Sequence, residues 1–144
     1  MLHLHPYCFS YAIIDRELNQ IIDFEAKVLE QQPGKFLHND SIAIWFADLQ
    51  EIFNLPFKNS KVAIYSPEFA VLPDKTEKPA EVFKLLGFSE NEHITYLKNK
   101  ISDSFYVYYS LPDKTINFIE NHLPNVEFYC IDYGLLHFYN TKLS

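Results

Sequence analysis

The alternation of apolar and polar residues over the first thirty positions predicts three β-strands joined by short polar turns. A short strand covers residues 2–5, and an aromatic and β-branched run covers residues 7–14. The polar segment 15–19 marks a turn, after which residues 20–29 resume the pattern of a strand. The chain is therefore expected to open with a three-stranded antiparallel meander.

From residue 41 the apolar positions recur three or four residues apart, which is the period of one helix face. These positions are Ile42, Trp45, Phe46, Leu49, Ile52 and Phe53. Asp40 or Ser41 can cap the start of this helix, and Asn54 with Pro56 can end it. We predict a helix over residues 41–53 that packs through its apolar face on the sheet.

The remaining sequence alternates strand and helix patterns. Strand patterns cover residues 61–66, 69–72, 93–100, 104–110 and 126–132, and helix patterns cover 77–86, 112–123 and 133–139. Pro79 lies in the first turn of the helix at 77–86, and Gly87 follows its end. The run at 61–66 is nearly all apolar, which is typical of a buried parallel strand. The sequence thus predicts an α/β fold with a mixed sheet.

The composition restricts the class of protein. The chain has 144 residues, of which 48% are hydrophobic and 17% aromatic, so we predict one globular domain over residues 1–144. No apolar run approaches the roughly 20 residues that a membrane-spanning helix needs. The first residues lack the pattern of a signal peptide. These features predict a cytoplasmic domain without a membrane partner.

The charge distribution disfavours a nucleic-acid partner. Nineteen acidic residues against twelve basic residues give a net charge of −7 at pH 7. The lysines are spread singly among acidic neighbours, so they form no basic face that could displace counterions from phosphates. The same distribution disfavours binding to an anionic membrane surface.

The two cysteines, Cys8 and Cys130, lie within apolar, strand-like runs. They are interpreted as buried thiols; a disulfide between them would require an oxidising compartment, for which the chain carries no targeting signal.

A few residues could carry chemistry, but each has a simpler structural role. His3 and His5 would share one face of a strand, yet their spacing supplies no third metal ligand. Asp15 and Asp23 would face each other only in one hairpin register, and acids are common at turns and edges. Asp132, in the run Asp132-Tyr133-Gly134, follows a strand where α/β folds bind ligands, but a helix cap is the favoured role.

The pentapeptide Leu-Pro-Asp-Lys-Thr occurs twice, at residues 72–76 and 111–115, each time between a strand and a helix. Either it is a duplicated ligand loop, or both junctions use residues that set turns and cap helices. The flanking residues differ, which favours the second interpretation. The chain has neither a GxGxxG nor a GxxxxGK[ST] motif, and its 3 glycines are too few for a phosphate-cradling loop, so no cofactor is predicted.

Several hydrophobic runs resemble those of an uncharacterised bacterial family of unknown function. They cover residues 9–15, 61–66, 69–73, 105–110 and 126–132. That family occurs in Bacteroidetes and is placed in the actin-like ATPase superfamily, where its nearest described relatives are the actin-like proteins of type IV pilus assembly. The resemblance implies an actin-like (ribonuclease-H-like) α/β half-domain, with a mixed sheet that opens with the meander and helices packed on that sheet.

Two departures from that family determine the expected function. Its members are nearly twice as long, because an actin-like fold has two similar halves with the nucleotide between them; this chain corresponds to the N-terminal half. Actin-like ATPases carry an Asp-x-Gly phosphate loop in the first hairpin, whereas the turn here is His5-Pro6-Tyr7-Cys8. Related ribonuclease-H-like nucleases carry a catalytic Asp on the first strand, which here reads Leu2-His3-Leu4-His5.

We therefore expect no catalytic residue, no metal site and no enzymatic activity, but an interaction or scaffold module. The alternative is a nucleotide-dependent ATPase or switch that needs a second half or a partner chain. Residues 105–109 place aromatic side chains on both faces of one strand, and tyrosine suits protein interfaces. We predict a protein partner or a homodimer, with Tyr106, Tyr108 or the adjacent sheet edge at the contact. The alternative is a monomer whose own helices cover this strand.

Overall fold

The computed structural model describes residues 1–29, 37–88 and 93–131 of the chain. The strands are β1 Leu2–His5, β2 Cys8–Asp15, β3 Gln20–Val28, β4 Ser60–Ile64, β5 Phe69–Pro73, β6 Ile94–Lys100, β7 Phe105–Pro112 and β8 Val126–Cys130. The helices are α1 Asn39–Asp48, α2 Gln50–Phe53, α3 Pro79–Leu85 and α4 Asp113–His122. The predicted order of elements is confirmed as far as β8, and the helix predicted over 133–139 lies outside the described residues.

Five strands form a mixed sheet, called the large sheet here, in the order β3-β2-β1-β4-β8. Strands β1, β2 and β3 pair antiparallel, which confirms the predicted meander. Strand β4 lies parallel to β1 on one side and to β8 on the other, as expected for a buried apolar strand. Leu4, at the centre of the sheet, is paired with Phe9 of β2 and Ile64 of β4, and all three are buried.

Three further strands form a separate antiparallel sheet, called the small sheet here, in the order β5-β7-β6. Strand β7 is its centre, with Val71 of β5 and Asn99 of β6 both paired with Val107. The strands of the small sheet come between β4 and α4 in the chain. They therefore separate β4 from the helix α4 and the strand β8 that would otherwise follow it directly as a β-α-β unit. The sequence predicted these strands but not their separation into a sheet of their own.

The hydrophobic core lies between the two sheets and the helices α1 and α4. Trp45 of α1 is 3% exposed, and its ring lies 5.1 Å from that of Phe9 on β2, measured between ring centroids. Val107 and Tyr109 of the small sheet belong to the same buried cluster. The predicted packing of the helix on the sheet that contains Val62 and Ile64 is thereby confirmed.

The helix predicted over residues 41–53 is divided in two. It begins at Asn39 and is interrupted at Leu49, whose backbone N–H approaches the carbonyl oxygens of both Trp45 and Phe46, at 3.1 and 3.2 Å. The expected capping by Asp40 or Ser41 is wrong, since the N-cap position is His38.

The physical reason for the earlier start is a tertiary contact. The Thr115 hydroxyl at the start of α4 donates to Asn39 Oδ1 at 2.7 Å, and this bond holds the first residue of α1 in place. The end of α2 follows the prediction, with Asn54 as its C-cap.

The side chain of Asn99 joins the edges of the two sheets. Asn99 of β6 donates from Nδ2 to the carbonyl oxygen of Phe128 at 2.9 Å, and its Oδ1 accepts from the backbone N–H of Cys130 at 3.1 Å. Phe128 and Cys130 are alternate residues of β8, so the Asn99 amide takes the place of a neighbouring strand there.

Among the described residues, no helix is both long and apolar enough to cross a membrane.

Candidate interaction site on the small sheet

Strand β7 carries Tyr106 and Tyr108, the two tyrosines predicted from the sequence to lie at a protein contact. Because side chains alternate along a strand, Tyr106 and Tyr108 lie on the opposite face of the small sheet from Val107 and Tyr109. Val107 and Tyr109 are fully buried in the main core. Tyr106 and Tyr108 instead lie on the face covered by α3.

Tyr108 is held in an aromatic cluster under α3. The ring of Phe83, from α3, is stacked on that of Tyr96 with centroids 4.4 Å apart, and it lies 5.7 Å from that of Tyr108. Phe88 stacks on Phe83 at 5.4 Å. Tyr108 is only 9% exposed as a result, so it supports this surface and contributes little contact area to a partner.

Tyr106 is the more accessible of the two tyrosines. It is half-buried, its ring lies 6.4 Å from that of Tyr108, and Lys98 Nζ lies 4.9 Å above its centroid. A lysine over a tyrosine face is a cation–π contact, which favours this position of the ring. The sequence indicated Tyr106 but gave no sign of Lys98 or Phe83, whose roles depend on pairing across the sheet.

A cleft of about 490 Å³ opens beside this aromatic cluster, between α3 and the small sheet. Its walls include Phe83, Tyr96 and Tyr108, and its rim carries the opposite charges of Asp74 and Lys98. An apolar floor with a few polar rim groups is the general form of a recognition site for a protein or small molecule.

The β1–β2 turn, where a phosphate loop was sought, is filled with rings. The His5 ring lies 5.3 Å from the rings of both Tyr7 and Tyr65. The backbone N–H of Tyr7 donates to His5 Nδ1 at 3.2 Å, so this N–H is directed at the imidazole.

The two histidines of β1 stand side by side as expected, with parallel rings 6.3 Å apart. Burial, together with the neighbouring His5, lowers the pKa of His3 below its usual value, which favours the neutral imidazole. Within residues 1–29, 37–88 and 93–131, no three His, Cys, Asp or Glu side chains are grouped so that they could hold a metal ion.

The two aspartates of the first hairpin are not opposite each other. Asp23 is paired with Ile13 and accepts from the Tyr11 hydroxyl at 3.0 Å, whereas Asp15 accepts from two backbone N–H groups of its own turn. Burial and the Asp23 carboxylate raise the pKa of Tyr11 to about 12. The register thus gives both acids structural roles, and Asp132, the third candidate, lies outside the described residues.

Cys130 is buried and Cys8 is half-buried, and neither forms a disulfide. Cys8 Sγ lies 4.0 Å from His3 Nδ1.

The repeated pentapeptide adopts two different structures. At residues 72–76 the Thr76 hydroxyl donates to the carbonyl oxygen of Pro73 at 2.8 Å and closes a turn. At residues 111–115 helix α4 begins directly at Asp113, and the Thr115 hydroxyl donates to Asn39. The two copies share the strand end at proline, which agrees with the turn-setting interpretation.

A buried carboxylate was missed by the sequence analysis. Glu68 is 2% exposed, and its Oε2 accepts from the Ser110 hydroxyl at 2.9 Å. The Ser66 hydroxyl donates to the carbonyl oxygen of Glu68 at 2.9 Å. These bonds connect the end of β4 to the centre of the small sheet. The polar Ser110 within an aromatic strand was the available sign, since a buried hydroxyl needs a polar partner.

No known protein family matches the sequence, and no curated protein matches it significantly. Among solved structures, the chain is similar to a Bacteroides thetaiotaomicron protein described as having an actin-like ATPase fold and unknown function. The two share a TM-score of 0.79 and 16% sequence identity, over 98% of this chain and 55% of that protein. The chain therefore has an actin-like α/β fold, as expected from its sequence, and spans 55% of the length of the protein that it matches.

Proposed function

We propose that this chain is a non-catalytic actin-like module that acts by binding another protein. The observation that carries the proposal is the β1–β2 turn, where His5, Tyr7 and Tyr65 form a cluster of rings. Actin-like ATPases, by the resemblance described above, use that hairpin to hold nucleotide phosphates.

The chemistry of this turn opposes phosphate binding. A phosphate site needs backbone N–H groups that converge on an anion and, with magnesium, a carboxylate nearby. Here the Tyr7 N–H donates to an imidazole, and the turn residues His5-Pro6-Tyr7-Cys8 include neither an acid nor a glycine. The turn is therefore suited to packing and unsuited to holding a metal–nucleotide complex.

The proposed contact surface for the partner is the exposed side of the small sheet. Tyr106 and Lys98 present a fixed ring and a charge, and the adjacent cleft offers an apolar floor. Leu85 and Leu86, at the end of α3, are also largely exposed. Tyrosine and exposed apolar side chains are typical of interaction surfaces. A cytoplasmic location, and the resemblance to actin-like proteins of pilus assembly, would suit a partner in a protein assembly.

One observation favours the second candidate function, a nucleotide-dependent ATPase or switch. The Bacteroides thetaiotaomicron protein is nearly twice as long as the part that this chain matches. A second half, or a partner chain in its place, would then supply the phosphate-binding groups.

Titration with magnesium and ATP separates these two functions. We expect neither heat of binding by calorimetry nor a shift in melting temperature, because ligand binding to the folded state would raise that temperature. An actin-like ATPase with established nucleotide binding serves as the positive control in the same buffer. Micromolar affinity of the isolated chain for magnesium–ATP would contradict the proposal and favour the switch.

A further inference from the structure

The strand β3 is exposed along its whole length. All nine of its residues are solvent-exposed, including Phe24 at 62% and Val28 at 85%. It forms one edge of the large sheet, and no strand of the described residues pairs with its outer side. At the opposite edge, on β8, Asn99 bonds to the Phe128 carbonyl oxygen and to the Cys130 N–H. A long, exposed edge strand that carries apolar side chains is a template for pairing with another strand.

The backbone of β3 offers regular hydrogen-bonding groups at this edge. Met1 and Ala12 exchange both of their backbone hydrogen bonds, at 2.7 and 2.8 Å, so Ala12 is directed towards β1. Because the direction alternates along an antiparallel strand, Tyr11 is directed towards its β3 partner Glu25. Ala26, next along β3, therefore directs its N–H and C=O outward, as do the residues two positions before and after it.

The two faces of β3 differ in chemistry. The register places Asp23, Glu25 and Lys27 on the face of the large sheet that carries Tyr11 and α1. Lys27 Nζ lies 3.7 Å from Asp48 of α1 across water-exposed surface. The opposite face carries Phe24, Ala26 and Val28, beside the small or thiol side chains of Ala12, Ser10 and Cys8.

We propose that β3 pairs antiparallel with β3 of a second copy of this chain, with Ala26 opposite Ala26. In this register Glu25 of each copy lies opposite Lys27 of the other, and the two-fold axis produces this ion pair twice. Phe24 lies opposite Val28 on the other face, also twice. The outward-directed backbone groups of residues 24, 26 and 28 then bond to one another, and the Phe24 N–H exchanges its present bond to Asp23 Oδ1, at 2.8 Å, for a bond to the second copy. The two large sheets become one continuous sheet.

The charges of β3 select this register and this partner. With Phe24 opposite Phe24, Asp23 would face Glu25 twice. With Glu25 at the centre, Asp23 would face Lys27 twice, but the two glutamates would face each other, a repulsion that the register centred on Ala26 avoids. Like charges directly opposite across two strands are destabilising. Charged side chains on an edge strand also oppose unspecific pairing, so a foreign strand without complementary charges would bind β3 less tightly. Glu25 and Lys27 lie at equal distances on either side of Ala26 and carry opposite charges, so the strand is complementary to itself and fits a second copy of the same chain.

Charge reversal with rescue tests the proposal in the full chain. Sedimentation velocity over a concentration series should show the wild type passing from the 17.0 kDa monomer to a dimer. Glu25→Lys alone, or Lys27→Glu alone, places like charges opposite each other at two positions, and should weaken dimerisation roughly tenfold or more. The double variant Glu25→Lys/Lys27→Glu restores both ion pairs and should restore the dimer.

The controls separate this surface from the small sheet and from loss of folding. Tyr106→Ala should leave the dimer intact, because the small sheet lies outside this contact. Circular dichroism checks that each variant folds. A wild type that stays monomeric at all concentrations, or a dimer that resists both single reversals, would overturn the proposal. So would single variants whose loss is not rescued in the double. The nucleotide titration is independent of this result, since β3 and the β1–β2 turn are tested in separate measurements.

Discussion

At the scale of single residues, a few polar side chains make tertiary contacts that their sequence neighbours do not indicate. Asn99 lies in the run Lys98-Asn99-Lys100, which reads as an exposed polar stretch in the sequence. In the structure its amide bonds to two alternate backbone groups of β8. Removing it would leave a buried or half-buried N–H and C=O without their partner, which is more costly than the bond itself is stabilising.

Tyr109 shows the opposite case, a polar group without a hydrogen bond. Its ring is fully buried, and among the described residues its hydroxyl has no hydrogen-bond partner. Burial has the largest effect on the pKa of Tyr109 and raises it above its usual value, whereas Asn99 lowers it. Both polar atoms of the Asn99 amide are bonded to β8.

Tyr109→Phe should therefore leave the free energy of unfolding unchanged or increase it by up to about 1 kcal/mol, because the variant no longer buries an unsatisfied hydroxyl. Urea unfolding followed by tryptophan fluorescence measures the change. Tyr11→Phe is the matched control: its hydroxyl donates to Asp23 at 3.0 Å. That control should lose about 1 kcal/mol. A loss at Tyr109 equal to that at Tyr11 would mean that the buried hydroxyl is bonded in solution.

At the scale of elements, most of the fold could be predicted because local patterns agree with tertiary packing. The meander, the parallel strand β4 and the helix α3 follow from period, turn residues and a proline–glycine pair. The predictions were wrong or incomplete where contacts between residues distant in the sequence determine the structure. The start of α1 depends on Thr115, and the division of the strands into two sheets depends on pairings that no local pattern encodes.

Identical local sequence was also a poor guide to local structure. The Leu-Pro-Asp-Lys-Thr segments end strands of the same sheet, but only the second continues directly into a helix. The difference is the partner of the threonine hydroxyl, which is a carbonyl oxygen of its own turn in one case and Asn39 in the other. The candidate site could be described only in part from the sequence: it indicates Tyr106 and Tyr108, whose role at a contact stays a prediction, but it does not indicate the side chains that pack around them.

The end of α3 gives a test of an element boundary. Gly87 has φ = +71°, and a Cβ built there would meet no atom within 4 Å. The cost of a side chain at this position is therefore conformational and not steric. Gly87→Ala should reduce stability by about 1 kcal/mol, because alanine disfavours the left-handed conformation.

Gly87→Asn is the matched variant, since asparagine adopts positive φ more readily, and it should lose clearly less than alanine does. Thermal unfolding by circular dichroism compares the two. Equal losses for alanine and asparagine would show that backbone conformation is not what requires glycine here.

At the scale of the whole molecule, the small sheet shares a buried core with the large sheet. Val107 and Tyr109 of β7 share one buried cluster with Leu4 and Phe9 of the large sheet. Asn99 of β6 adds a polar link to β8 of the large sheet. A single domain over residues 1–144 stays a prediction from length and composition, and no local sequence pattern encodes these particular contacts.

This shared core predicts one cooperative unfolding transition. Trp45, the single tryptophan, packs on the large sheet, so its fluorescence reports that layer, whereas far-ultraviolet circular dichroism reports the helices and both sheets. The two signals should have the same midpoint and slope in urea, because neither layer keeps a complete core when the other unfolds. Asn99→Ala should move both midpoints together to lower urea. If the fluorescence transition separated from the circular dichroism transition, in the wild type or in this variant, the small sheet would be an independent unit attached to the actin-like sheet.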